Sequence, residues 1–319
     1  MGMLVDGQWT DDDGDSRGKG GKFDHLPTKF HGAITADGSS GFKAEAGRYH
    51  FYAYPSCPWA HRVTLFRRLK GLEDVISLSF LTGGRAQGYS FADGIEHTVP
   101  GTDSKVTHLH QVYTLAQADY TGRCTVPTLW DAKERTIVNN ESSEIIRMFN
   151  SEFGEFSNGT PDYYPEDLRA DIDAVNDLTY HAINNAVYKA GFSTDQETYN
   201  QTVTVMFEAF DELEARLGSQ RYLCGGRITE ADWRLFTTLF RFDAAYYPLF
   251  KCNKKHIYEY PNLWNYTRDL YQQPGIAEIC DLKAVIKGYY SIPKANPSGV
   301  IPFGPDLDFD EPHDRGRFS

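Results

Sequence analysis

RYHFYAYPSCPWAHRVTLFRRL, residues 48–69, decides how this chain folds. Arg48–Tyr54 reads as a short aromatic strand, and Cys57-Pro58-Trp59-Ala60 then opens a helix whose apolar residues Ala60, Val63, Phe66 and Leu69 recur at helical spacing. A thiol at that junction faces backbone N–H groups without intrahelical partners and the positive end of the helix dipole, both of which favour the nucleophilic thiolate. Pro58 suits the first turn, where no donor is missed. A lone cysteine can also be a small buried hydrophobe; the strand–Cys–helix context argues for chemistry instead. Ala60 stands where a C-x-x-C pair would have its second cysteine, so a disulfide on Cys57 needs an external thiol, glutathione or a relative, to resolve it.

Outward from this stretch the order is strand, Cys57 helix, strand over residues 75–81, a Gly- and His-containing insert, a helix near 108–118, strands over 128–131 and 136–138, and a helix from about Ser142. That is βαβ followed by ββα, the thioredoxin arrangement, with Cys57 at the end of the first strand. A chain of 319 residues is too long for this unit alone, so two domains are expected. Residues 1–45, rich in Gly, Asp and Ser, read as an extended arm, and 46–160 as an α/β thioredoxin-like domain. Asp162–Pro165 marks a linker. Residues 161–290 read as an all-α domain, with Leu168, Ile172, Val175, Leu178 and Ala182 on one apolar stripe and Tyr199, Val203, Met206, Phe210, Leu213 and Leu217 on another. Thr229-x-x-Asp232 behind Ile228 is a capping box, which gives Asp232 a structural role. Residues 291–319 are too rich in Pro and Gly for regular structure.

The formal net charge of -12 argues against nucleic acid or an anionic membrane as a partner. Cysteines 57, 124, 224, 252 and 280 are odd in number and lack metal-ligand spacing, which suits a reducing cytoplasm and no metal. No apolar run approaches the roughly 20 residues of a membrane span, and the first residues show no basic segment followed by an apolar core, so no secretion signal is expected.

Arg123-Cys124-Thr125-Val126-Pro127-Thr128 precedes the third strand, where a thioredoxin-type fold brings a proline opposite the thiol and leaves the Val126 backbone able to pair with an extended peptide. The residues do not distinguish a cis bond before Pro127 from a strand-start proline or a simple turn. Asn139-Asn140-Glu141-Ser142-Ser143 opens the next helix. Its N-terminus and hydroxyls suit a carboxylate while Glu141 suits an ammonium, the two charges that a γ-glutamyl group carries side by side; Ser142 or Asn140 can equally do no more than cap the helix.

YPSCPWAHR, TVPTLWD, TIVNNESSEIIRMFN, NNAVYKAGFSTDQETY, ITEADWRLFTTLFRFDAAYYPLFKCNKK and NPSGVIPFGP resemble the Xi-class glutathione transferases, the glutathionyl-hydroquinone reductases, over nearly the whole chain. The resemblance implies the glutathione transferase fold and a thiol transferase in which Cys57 attacks the sulfur of a glutathionyl-hydroquinone. The hydroquinone leaves, and a second glutathione resolves the mixed disulfide on Cys57. It further implies a glutathione site made of Trp59, Tyr89, His110, Arg123, Val126, Pro127, Glu141 and Ser142, an aromatic-substrate site with Tyr188, Tyr289 and Tyr290, and a homodimer paired through the N-terminal domain.

The chain also departs from that family. Gly88-Tyr89-Ser90-Phe91 stands where a Gly-Trp-x-Phe is usual, His110 where an arginine clamps the ligand, and Ser291-Ile292-Pro293 where histidines follow the paired tyrosines. If His110 faces the ligand's carboxylate, its titration near pH 6.5 should weaken thiol binding between pH 6 and 8, with Arg123 as the next candidate for the clamp. A Cys-type transferase acting on another thioether, a haloaromatic or a glutathionyl ketone would use the same nucleophile. A catalytically quiet binding protein of this fold would have no need of the thiol.

Overall fold

The computed structural model describes residues 2–12, 17–18, 22–23, 27–93, 95–157 and 159–318. The chain divides into two compact units, one of Met1–Ser16 with His25–Pro161 and one of Arg17–Asp24 with Asp162–Ser319.

The first unit is built on a four-stranded sheet of β1 (Tyr49–Ala53), β2 (Ser77–Phe80), β3 (Thr128–Asp131) and β4 (Thr136–Asn139) in the order β4-β3-β1-β2. β1 runs parallel to β2, with Phe51 opposite Leu78, and antiparallel to β3, with Tyr52 opposite Thr128. Every residue of β1 is buried, which is why it reads as an aromatic run without polar alternation. A parallel neighbour demands a crossover, supplied by α1 (Pro58–Leu69). That helix stops where Gly71 takes a φ of +63° and the Leu72 N–H returns to the Arg67 carbonyl. α2 (Leu109–Ala116) packs on β4, and α3 (Ser142–Ser151) packs on α1. Arg48, at the head of β1, donates twice to buried Asp131 at the end of β3 (2.9 and 2.6 Å), while the other oxygen of Asp131 accepts from the Lys133 N–H and shapes the β3–β4 turn.

Within the stretch whose composition reads as an extended arm, residues 3–10 take up regular structure. Met3–Val5 and Gln8–Thr10 form a hairpin around Asp6-Gly7, the two-residue turn whose positive φ angles those residues tolerate best. Leu4 exchanges two backbone hydrogen bonds with Gly122, and the Gly7 N–H donates to the Tyr120 carbonyl. A Cβ on Gly7 would lie 2.0 Å from the Ala118 carbonyl oxygen, so this docking requires glycine. Asp-Gly between apolar residues carried the hairpin signal that composition alone concealed.

The second unit is helical: α4 (Arg169–Thr179), α5 (Ala186–Phe192), α6 (Gln196–Leu217), α7 (Glu230–Arg241), the single turn α8 (Tyr247–Leu249), α9 (Pro261–Tyr271) and α10 (Leu282–Tyr290). α7 is buried on all sides. The Asp232 carboxylate closes the capping box on Thr229 and also accepts from the Leu223 N–H and the Tyr266 hydroxyl, so it is a structural hub. One π-helical turn, Tyr180–Asn184, precedes α5 and another, Phe242–Tyr246, follows α7. Past α10 the described residues hold no strand and one 3-10 turn, Arg315–Phe318. The tail is nonetheless fixed, because buried Arg315 donates to the carbonyls of Leu217, Gln220 and Arg221.

No described helix is long and apolar enough to cross a membrane.

Candidate active site

Cys57 is the N-cap of α1, in extended conformation, with Pro58 in the first turn. The residue is 8% exposed and its Sγ lies 3.5 Å from the Val126 carbonyl oxygen, so the strand–Cys–helix segment and the Val126-Pro127 segment meet as the sequence predicts. The Val126-Pro127 bond is cis. Among the five cysteines Cys57 alone is a helix N-cap. Burial pushes the Cys224 thiol up to about 11 and the Cys280 thiol to about 12, and raises Cys124 and Cys252 further, so these four stay protonated at neutral pH. On the first turn of α1 the half-buried Trp59 ring carries the Arg62 guanidinium 4.5 Å from its centre.

Glu141 is the N-cap of α3, and its Oε1 accepts from the Ser143 N–H at 3.1 Å. Its carboxylate is therefore folded onto its own helix, beside Ser142, whose hydroxyl lies 3.4 Å away. Ser142 is buried at the first position of the helix. A helix N-terminus flanked by one carboxylate can hold an anion and an ammonium together.

One residue that ties these segments together was not singled out from the sequence. Tyr113, buried on α2, donates to the Thr125 carbonyl (2.9 Å) and accepts from the Thr125 N–H (3.1 Å) and the Asn140 side-chain amide (3.0 Å). It thus holds the residue before Val126 and the residue before Glu141 to one hydroxyl. A tyrosine on the apolar face of a helix gives no local signal of such a role.

His110 differs from the expectation of a titratable clamp. Its ring stacks 4.9 Å from Trp9 of the amino-terminal hairpin and 5.2 Å from His108. Burial, with the nearby His108, pushes its imidazole down to about 4, so it is neutral from pH 6 to 8. Its Nε2 is buried and meets no hydrogen-bond partner among the described residues. Tyr89 lies 5.0 Å from Tyr54, ring to ring, in the segment before Cys57. Arg123 sits in the loop before Val126, its carbonyl accepting from the Tyr120 hydroxyl. Arg85 also reaches this segment, which the sequence did not disclose: its Nη2 donates to the Ser56 hydroxyl at 3.3 Å.

In the helical unit Tyr188 and Tyr289 come together at 2.6 Å between hydroxyls, joined by Tyr246 at 2.7 Å from Tyr289 and 3.2 Å from Tyr188. Tyr246 was quoted in the sequence only as part of a longer motif; the π-helical turn Phe242–Tyr246 carries it. Tyr290 does not join them. Its hydroxyl is buried without a hydrogen-bond partner among the described residues, and the residue lines a separate cavity of about 440 Å³ with Lys287, Pro293 and Ile301. Among the described residues no group of three His, Cys, Asp or Glu side chains is arranged to hold a metal.

A cysteine N-cap after the first strand of a thioredoxin-like sheet, opposite a Val-cis-Pro segment and followed by a helical unit, defines the class of Cys-type glutathione transferases. Residues 56–152 match the family model for the glutathione S-transferase N-terminal domain and residues 196–269 that for the C-terminal domain. The chain is 46% identical to the glutathionyl-hydroquinone reductase YqjG of Escherichia coli, across 99% of this chain and 98% of that protein. It is 44% identical to the glutathionyl-hydroquinone reductase PcpF of Sphingobium chlorophenolicum, across 96% of each. Among solved structures, the Xi-class transferase of Natrialba magadii superposes with a TM-score of 0.90 at 44% identity, covering 100% of this chain and 98% of that one. Glutathione-bound YqjG superposes with a TM-score of 0.87 at 44% identity, covering 98% and 99%. The chain belongs to the Xi-class glutathione transferases, the family of the glutathionyl-hydroquinone reductases.

Proposed function

We propose that this protein reduces S-glutathionyl-hydroquinones with glutathione as co-substrate, through a mixed disulfide on Cys57. The observation that carries the reading is the Cys57 thiol at the N-terminus of α1, 3.5 Å from the Val126 carbonyl. The Cys57 thiolate attacks the thioether sulfur; the new S–S bond forms as the C–S bond breaks, and the aromatic carbon keeps the electron pair and takes up a proton. A second glutathione thiolate then attacks the glutathione sulfur of the mixed disulfide, releasing glutathione disulfide and restoring the Cys57 thiolate. The net change is one thioether and one glutathione converted to one hydroquinone and one disulfide.

In this reading the Val126 backbone pairs with the cysteinyl residue of the ligand, which the place of Val126 beside the Cys57 thiol supports. Glu141 and Ser142 take its γ-glutamyl end, while Trp59, Tyr89, His110, Arg123 and Pro127 border it. Tyr188 and Tyr289 offer hydroxyls to the oxygens of the aromatic ring, and Tyr290 contributes its ring rather than its hydroxyl. The protein works as a homodimer in the cytoplasm. The odd number and the spacing of the cysteines support a reducing compartment.

Turnover of a panel of glutathionyl-hydroquinones, with glutathione and γ-glutamylcysteine as alternative thiols, tests the reading. Release of free hydroquinone with one equivalent of disulfide is expected. Conjugation without disulfide formation would overturn it, and light scattering that reports a monomer at micromolar concentration would overturn the dimer.

A further inference from the structure

Arg85 occupies a turn in the insert that the rest of the fold holds closed. The Gly83 N–H donates to the Ser90 carbonyl (3.1 Å), and the Ser90 hydroxyl donates to the Gly84 carbonyl (2.6 Å). A Cβ at Gly83 would lie 1.9 Å from the Phe91 carbonyl oxygen, so the turn requires glycine there. The far side of the turn is tied to the start of α2 by the Leu109 N–H to the Tyr89 carbonyl (2.8 Å) and the Phe91 N–H to the Thr107 carbonyl (2.9 Å). These bonds close the loop on itself and on α2, and Arg85 reaches from it to the nucleophile's own segment. Its guanidinium lies 4.1 Å from the centre of the Tyr54 ring and 5.3 Å from that of Tyr89, and bonds Ser56, a buried residue directly before Cys57.

We infer that Arg85 is a ligand-binding residue: held by Tyr54, Tyr89 and Ser56 beside Cys57, its guanidinium receives the glycyl carboxylate of glutathione. The inference rests on the proposal that glutathione is the co-substrate. Glutathione carries two carboxylates, and the α3 N-terminus with Glu141 suits the zwitterionic γ-glutamyl end. The glycyl carboxylate at the other end of the peptide calls for a cation on the opposite flank of the thiol. His110 does not supply it, because burial holds its imidazole neutral at physiological pH. Arg85 is charged at every working pH, presents a planar fork suited to a carboxylate, and is already ordered by two rings, so little side-chain freedom is lost when the ligand arrives.

The test measures equilibrium binding by calorimetry in the Cys57→Ser background, with glutathione and its glycyl monoethyl ester as probes, alongside turnover by the otherwise unchanged enzyme. Arg85→Gln should weaken glutathione binding about tenfold or more, the scale of one charge-assisted hydrogen bond, and leave the ester's already weaker binding unchanged. Arg85→Lys should recover part of the loss, since it restores charge without the fork. Equal losses for acid and ester would show that Arg85 only shapes the loop. No loss for either, or an altered pH midpoint for Cys57 alkylation with binding unchanged, would place its charge elsewhere. An enzyme that turns over glutathione yet does not distinguish acid from ester overturns the Arg85 assignment alone; one that ignores glutathione overturns the co-substrate reading with it.

Discussion

Trp9 lies on His110, ring centres 4.9 Å apart and planes 30° from parallel, so the amino-terminal hairpin covers the residue for which the family resemblance implies a charged clamp. The imidazole is held down to about 4, and no protonation of His110 falls between pH 6 and 8. In the Cys57→Ser background, the ratio of thiol affinities of the His110 protein and a His110→Phe variant should therefore stay constant from pH 6 to pH 8. Phenylalanine keeps the stack and removes a buried nitrogen that has no partner among the described residues, so stability should hold or rise. A ratio that changes several-fold across this range would restore the titrating clamp.

Cys57→Ser should abolish thioether reduction while the fold persists, because serine preserves the shape of the N-cap and even caps better, yet is hardly ionised at neutral pH. Circular dichroism should be unchanged, and mass spectrometry of the unsubstituted protein should find a glutathione adduct on Cys57. Substantial residual activity in the variant would refute the mixed-disulfide route.

Tyr113→Phe should act on two binding segments at once. Its hydroxyl accepts from Thr125 and Asn140 and donates to the Thr125 carbonyl inside a buried setting, so its loss strands several polar groups. A cost of about 1–3 kcal/mol in urea unfolding is expected, together with weaker thiol binding, since the approaches to Val126 and Glu141 lose their common anchor. Intact thiol affinity in a destabilised protein would reduce Tyr113 to a core residue.

The nucleophile was legible because its signal is local: a strand, a cysteine and a Pro-started helix within about twenty residues leave one arrangement for Cys57. The order of elements followed, as did the Thr229–Asp232 cap, for the same reason. What stayed hidden depends on long-range packing. Tyr113 and Arg85 act through residues 12 or more positions away or across an insert, and nothing in their neighbours marks them. His110 was read from its charge type, whereas its burial against Trp9, 101 positions earlier in the chain (110 − 9), decides its ionisation.

Tyr289 and Tyr290 are neighbours in sequence with different prospects. Tyr289 bonds both Tyr188 and Tyr246, and three hydroxyls in mutual contact can turn one proton outward only when one of their contacts opens. Tyr289 makes the two shorter contacts, at 2.6 and 2.7 Å, and so holds the other two hydroxyls in place. Tyr289→Phe should therefore lower turnover of a glutathionyl-hydroquinone by about tenfold, the value of one such hydrogen bond, with KM for glutathione unchanged. Tyr290→Phe removes a buried hydroxyl that no group among the described residues satisfies, and should be neutral or stabilising. Equal turnover losses in the two variants would mean that Tyr289 has no special role.

His50 should set part of the acid limit of the fold. It lies on β1, 5% exposed, with Nδ1 at 2.7 Å from the Ser77 hydroxyl and with Tyr52, His97 and Arg67 as its other polar neighbours. Burial, with the charges of His97 and Arg67, pushes its imidazole down to about 3, against about 6.5 in the unfolded chain. Between those values the unfolded chain binds a proton that the folded protein refuses, so stability falls as pH drops below 6.5 and is unaffected by this group above it. At pH 5 the loss amounts to about 2 kcal/mol. His97, also lowered by burial, contributes with the same sign. His50→Asn keeps a partner for Ser77 but cannot titrate, so the difference in urea-unfolding free energy between pH 7 and pH 5 should shrink by about that amount. The same pH dependence in variant and parent would show that other groups govern acid unfolding.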